Sequence, residues 1–437
     1  MKTSMKKTAT TITTTTTSAP WTRRALLATA AMATMAVAAG PARAGDLEVL
    51  HWWTSGGEAK AISGLKDQLQ AKGHKWKDFA VAGGAGDAAM TVLKSRAISG
   101  NAPTAAQIKG PLLQDWAAEG MLANIDDVAK AEHWDDLLLP VISNIVKYKG
   151  HYIAVPVNVH RVNWLWINPE VMRKAGVKPP TTWDEFFVAA DALKKAGVTP
   201  LAHGGQSWQD FTTFETVVLG TGGPEFYRKA LIQLDPASLK SPTMEKSLTT
   251  FRRLKAYTDR NAPGRDWNLA TAMVMKGEAA MQIMGDWAKG EFLAAGKTAG
   301  KDFLCVPAPG TAKSYTFNVD SFAMFKVKGD ANQQAQRDMA SAILSPAVQE
   351  SFNLEKGSIP VRKGVSLAKY DDCAKASAAD FAEAGKANTL LPSIAHGMAV
   401  RPAAEGAIKD VVSQFWNSES VTTAQAMDRL VSAAKTQ

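Results

Sequence analysis

Cysteine is nearly absent, with only Cys305 and Cys373 in 437 residues. Their spacing fits no zinc or redox motif, so neither a metal ribbon nor a thiol oxidoreductase is in view. The pair leaves two readings open, one disulfide or two isolated buried thiols. Long apolar runs are also missing beyond residue 44, which excludes a membrane-spanning helix in the bulk of the chain. Nucleotide and hydrolase signatures are lacking as well. There is no P-loop, no G-x-S-x-G, no H-E-x-x-H, and no G-x-G-x-x-G opening a helix after a strand. The Gly-rich "AVAGGAGDAAM" has no Lys-Ser/Thr to hold phosphate and reads as a tight turn with Asp87 as helix N-cap.

Strong net charge is a further absence once the N-terminus is set aside. Residues 1–44 carry six basic residues (Lys2, Lys6, Lys7, Arg23, Arg24, Arg43) and no acidic one, then the apolar "ALLATAAMATMAVAAG" and an A-x-A pattern ending at Ala44. This reads as a cleavable secretory signal, with Arg23-Arg24 compatible with either the general secretory or the twin-arginine route. Its loss takes six of 50 basic residues and leaves 44 against 41 acidic, about +3. No basic run interleaves with aromatics, so nucleic acid is not an expected partner. About 390 remaining residues suffice for two lobes with sizeable cores, free in the periplasm.

What is present is an alternation of short β-rich runs and helical patterns. "LEVLHWW", "FAVAG", "AAQIKG", "YIAVPVNV", "VNWLWIN", "AAMQIM", "DFLCVPAP" and "SFAMFK" read as strands. "GEAKAISGLKDQLQAKG", "DAAMTVLKSRAISG" and "WDEFFVAADALKKAG" place apolar residues at helical spacing, the last opened by a Thr182/Glu185 capping box and closed at Gly197. The C-terminal third reads mainly as helices. The pattern predicts α/β lobes with mixed sheets. Trp52 and Trp53 end the first predicted strand, where neighbouring side chains point to opposite faces. One of them can enter a core while the other stands in a cleft.

Three long stretches carry a resemblance. "LWINPEVMRKAGVKPPTTWDEFFVAADALKKAGVTPLA", "MKGEAAMQIMGDWAKGEF" and "MASAILSPAVQESFNLEKGSIPVRKG" resemble, in order, the extracellular solute-binding proteins of carbohydrate ABC transporters. "LHWWTSGGE", "QIKG", "YTFNVDSFA" and "AHGM" look closest to the glucose- and mannose-binding branch. The resemblance implies a periplasmic-binding-protein fold of two discontinuous α/β lobes with a hinge and an interlobe cleft. Lobe one would hold 45–157 and 313–358, and lobe two 158–312 and 359–437, with hinge strands near Pro156–Val159 and Pro307–Thr316. It implies no enzymatic activity, no metal and no cofactor. The expected partners are the ABC permease subunits, a separate ATPase and a chemoreceptor, around a monomer.

A pyranose presents apolar C–H faces to aromatic rings and hydroxyls to charged or amide groups. By residue type and by resemblance, the expected sugar-binding set is Trp52, Trp53, Glu58, Lys109, Trp267, Trp287, Asn318, Asp320, Lys356 and His396. Asn158, His160 and Asn163 are weaker candidates near the hinge. Glu58 also suits a helix N-terminus, and Asp320 a turn. The expected ligand is a monosaccharide, glucose first, then mannose or galactose. An oligosaccharide or polyol in an open groove is the alternative. A glycosidase would need a carboxylate pair with one raised pKa, and Glu58 with Asp320 lacks any accompanying signature. A cationic amine is disfavoured by Lys109 and Lys356.

Overall fold

A computed structural model describes residues 9–15 and 44–436. The signal segment read at 1–44 lies almost wholly outside the described residues. Among those residues no helix is long and apolar enough to cross a membrane.

Seven of the eight predicted strands form where read, in two main sheets, while the run at 79–83 shares only Phe79 and Ala80 with the strand Lys75–Ala80. The larger sheet runs Ile359–Pro360, Ala154–Arg161, Tyr315–Met324, Ala105–Ile108, Asp46–His51, Lys75–Ala80, and Leu390–Pro392 pairs in parallel with the start of Tyr315–Met324. The smaller runs Leu304–Pro307, Trp164–Ile167, Ala279–Ile283, Thr199–Leu201. Parallel and antiparallel pairings occur in both, so the sheets are mixed.

Each sheet has its own core. Val49, Ile108, Val155, Val319, Phe322 and Phe352 belong to the first. In the smaller sheet, alternation sends Leu165 and Ile167 into a second core with Phe186, Phe211 and Phe415, and Trp164 and Trp166 into a third with Trp267, Trp287 and Phe292. Within 359–384, expected in lobe two, Ile359, Val361, Ala374, Phe381 and Ala384 pack in the first core.

The chain passes between the sheets at two irregular points. Pro156–Val159, the expected hinge, lies inside the fully buried strand Ala154–Arg161, and that strand ends two residues before Trp164 begins the second sheet. Asn163, between them, donates to Thr311 Oγ1 and the Ser314 carbonyl, each at 3.0 Å, and accepts from the Thr316 amide at 3.0 Å. The return segment after Leu304–Pro307 is thereby pinned to the outgoing one. Cys305 of that strand and Cys373 of the helix Asp372–Lys386 form a disulfide, with Cα atoms 6.0 Å apart.

Local signals explain the helices flanking the cleft. Thr182 Oγ1 accepts from the Glu185 amide at 3.2 Å and the Glu185 carboxylate answers the Thr182 amide at 3.3 Å, so the capping box forms as read. The helix Trp183–Lys195 stops before Gly197 at φ 78°. The turn before Asp87–Ile98 differs from its reading. Gly86, at φ 94°, takes the N-cap position, and Asp87 is the first helical residue, bound to Lys409 Nζ at 2.7 Å.

Candidate functional site

A cavity of about 250 Å³ lies where loops from both sheets meet. All ten residues expected to hold ligand line it, from Trp52 to His396. Of the weaker candidates, His160 joins them, while Asn158 and Asn163 are buried in the strand pairing and the crossing. Sequence reasoning missed Trp208, Asp266 and Asn268 on the wall. Trp208 follows a Gly204-Gly205 turn at the start of the helix Ser207–Tyr227, a loop-to-helix position like that of Trp52.

The paired tryptophans depart from a strict core-and-cleft division. The strand stops at His51, so both stand on the loop, and both are buried while reaching the cavity. Trp53 packs against Phe322 and Phe352, with ring centres 5.6 and 5.1 Å away. Trp52 lies under Gly86, where an added Cβ would stand 2.9 Å from the indole, so glycine is required for that loop to cover the ring. Trp287 sits at the start of the helix Trp287–Ala294 with its ring 4.8 Å from His396 and 5.2 Å from His160.

Charged groups interleave with these rings. Lys356 Nζ, at the end of the helix Pro346–Lys356, meets Glu58 Oε1 at 2.7 Å. Lys109 Nζ donates to the Ala85 carbonyl at 3.2 Å and lies 5.2 Å over the Trp52 ring, with two further N–H groups to offer. Burial pulls its pKa down, against Asp320 and Glu405.

Strand register builds the opposite wall, setting Asn318 across from His160 and Asp320 across from Asn158. His160 bridges two carboxylates, Asp286 through Nδ1 and Asp320 through Nε2 at 3.0 Å. Burial alone would lower the His160 pKa, but the two carboxylates prevail and raise it. Asp320 responds in reverse. Burial opposes its charge, yet His160, Lys356 and Lys109 hold it well below the usual carboxylate range. Asn318 Oδ1 is buried with no protein partner.

His396 takes its form from one hydroxyl. Thr212 Oγ1 donates its single hydrogen to the Trp208 carbonyl at 2.8 Å, so toward His396 Nε2, 3.0 Å away, it accepts. Nε2 therefore carries the proton and Nδ1 is left an acceptor. Burial, with Lys109 and His160 nearby, pushes the His396 pKa far below the ordinary imidazole value. The wall thus presents five tryptophans and carries acceptors (Asp320, Asn318 Oδ1, His396 Nδ1) beside donors (Lys109, Lys356). That set fits a small neutral molecule with several hydroxyls and apolar faces. Among the described residues no cluster of three or more His, Cys, Asp or Glu side chains is placed to hold a metal ion.

Two mixed α/β sheets with separate cores around a buried, ligand-sized cavity define a two-lobed binding protein. The bacterial extracellular solute-binding protein family model matches residues 15–350, and the chain belongs to that family. A "Probable sugar-binding periplasmic protein" of Rhizobium meliloti (strain 1021) is 50% identical over 413 residues, covering 94% of this chain and 99% of its own. Among solved structures, a chitin oligosaccharide binding protein superposes with TM-score 0.76 at 20% identity, over 90% of this chain and 98% of that one. A bacterial solute receptor described as having an exclusive preference for β-D-galactopyranose superposes at TM-score 0.75, 20% identity, over 90% and 98%. At these identities the two structures speak for the fold. Members of this family are transport components that bind solutes.

Proposed function

We propose that the protein is the periplasmic sugar-binding component of an ABC importer and holds one pyranose ring in the cavity, D-glucose first, with mannose or galactose next. The observation that carries this reading is the pairing of indole surfaces with Asp320, Lys109 and His396 Nδ1, which keep hydrogen-bonding capacity unused by the protein. Bonds to charged partners are worth about 1.5–3 kcal/mol each, so three or four offset the loss of water from a sugar. The volume, about 250 Å³, falls just below the ~300 Å³ lower end of small-molecule pockets, which favours one ring over a chain of them.

The two lobes we propose close around the ligand: 45–157 with 313–358, and 158–312 with the C-terminal remainder. The packing of 359–384 on the first core supports moving that segment to the first lobe. The closed form, a monomer, is the one a permease would receive, and ligand drives closure only through its higher affinity for that form. A separate ATPase supplies energy, and the closed form also suits presentation to a chemoreceptor. Isothermal titration of residues 45–437, unfolded and refolded to strip carried ligand, tests the reading. One-to-one binding of glucose, mannose or galactose is expected. Silence with all three overturns it.

A further inference from the structure

The loop 393–397, which presents His396, is held from behind by the helix Ser207–Tyr227. Thr212 meets the imidazole, and one turn along the same helix Glu215 meets the backbone that leads to it. Glu215 is fully buried and stands outside the cavity wall. Its carboxylate accepts from Ser393 Oγ at 2.6 Å, from the Tyr227 hydroxyl at 2.9 Å and from the Ala395 amide at 3.2 Å. The Tyr227 oxygen in turn accepts from the Ile394 amide at 3.3 Å. Three successive loop residues therefore hang on one carboxylate, the last of them adjoining His396. Resting on the sugar reading, we propose that Glu215 is a positioning residue for the ligand, holding His396 Nδ1 toward the cavity while its carboxylate is ionised.

The count of donors is the first support. An ionised carboxylate can accept from all three. A protonated one cannot, because whichever oxygen takes the proton becomes a donor. On one side the proton goes to Tyr227, whose own hydrogen turns to the Pro392 carbonyl 3.0 Å away, and the Ala395 amide loses its acceptor. On the other side the Ser393 hydroxyl loses its acceptor. The cost of the arrangement is the second support. Burying a carboxylate without a basic partner is unfavourable, and an apolar side chain of similar volume would fill the space without that cost. Burial pushes the Glu215 carboxyl up to about 7, against its donors, so both protonation states are populated near neutral pH. Of its bonded partners only Tyr227 titrates, and burial and the carboxylate hold that phenol well above its ordinary value. Asp210, on the same helix, is bound to His203 and Ser413 instead. His396, on the loop, is kept far below the ordinary imidazole value.

Calorimetric titrations with D-glucose from pH 6 to pH 9 test the proposal on wild type, Glu215→Gln and Ser393→Ala, each compared with wild type at the same pH. That comparison cancels the titration of His160 and Glu405, which all three proteins keep. With a midpoint near 7, Glu215 is ionised in about a tenth of molecules at pH 6 and about nine tenths at pH 8. If protonation weakens glucose about tenfold, as for one lost charged hydrogen bond, the affinity ratio of wild type to Glu215→Gln should rise about fivefold between pH 6 and pH 8. Ser393→Ala removes one donor and so moves the Glu215 midpoint upward. It should bind glucose about threefold more weakly than wild type at pH 7 and match it by pH 9. Where Glu215→Gln does not fold, Ser393→Ala decides. Glucose binding whose ratios to both variants are independent of pH overturns this proposal and leaves the sugar reading standing. Failure of glucose, mannose and galactose with wild type at every pH overturns both.

Discussion

His396 owes its hydrogen-bonding character to a threonine 184 positions away in sequence. Thr212 sits in the interior of a helix and carries no motif, so nothing in the sequence marks it. The ten expected residues that line the cavity were legible as candidates because their types match sugar chemistry and their segments resemble the family's pattern. Thr212 and Trp208 were not, because their role depends on which helix the loop 393–397 packs against. Thr212→Val should free the imidazole tautomer, lower sugar affinity about tenfold, and shift the His396 ring nitrogens in ¹⁵N NMR. An unchanged tautomer and affinity would remove Thr212 from this role. His160 offers a pH test. Its raised pKa means its contribution to stability is whole below the ordinary imidazole value of 6.5 and is lost as pH rises through the native value. The lowered pKa of Asp320 makes its share whole above 3.8 and lost as pH falls. The stability deficit of His160→Gln in urea should therefore be largest between these values and shrink as pH rises above 6.5 through the native value. A deficit independent of pH would contradict the charged bridge.

At the scale of elements, glycines decide how closely helices meet. The helix Trp287–Ala294 buries Trp287, Ala288 and Phe292 in the third core, and turns Gly290 toward the helices Gly56–Ala71 and Pro346–Lys356 of the first. A Cβ on Gly290 would stand 2.7 Å from the Glu355 carbonyl, and one on Gly57 would stand 2.7 Å from Gly290 itself. Glu291 Oε1 accepts from the Gly57 amide at 2.9 Å across the same contact. Gly290→Ala should hold these helices apart and lower sugar affinity at least tenfold, and small-angle scattering should show less contraction on adding ligand. Wild-type affinity and contraction would show that the contact plays no part in closure. None of this was legible in the sequence, where nothing in "AKGEF" marks a close helix contact. Seven of the longer strands were legible from apolar and β-branched runs, while Lys75–Ala80, with alternate charged residues facing solvent, was caught only at its end. Thr199–Leu201, Ile359–Pro360 and Leu390–Pro392 were not, since two or three residues hold no readable period.

At the scale of the whole molecule, two sheets and three cores are stitched by Asn163, by Arg161 and by one disulfide. Arg161 pairs with Asp380 at 2.5 Å and lies 4.2 Å from the Trp164 ring, so the crossing is held by buried polar and cation–π contacts. The disulfide closes a sequence separation of 68 residues, worth about 4 kcal/mol in the chain-entropy view. The double variant Cys305→Ala/Cys373→Ala should melt several degrees below wild type, and an unchanged melt would show the link to be thermodynamically idle. Sequence left that pairing open because two cysteines alone carry no geometry, and the packing of 359–384 on the first core was hidden for a related reason. A helix's apolar face names no partner core. The measurement that bears most directly on the central claim is a crystal structure of residues 45–437 with D-glucose. The account predicts one pyranose in the interlobe cavity, an apolar face on an indole, and hydroxyls bonded to Asp320, Lys109 and His396 Nδ1. Glucose bound outside this cavity, or a cavity left to water in crystals grown at saturating sugar, would contradict it.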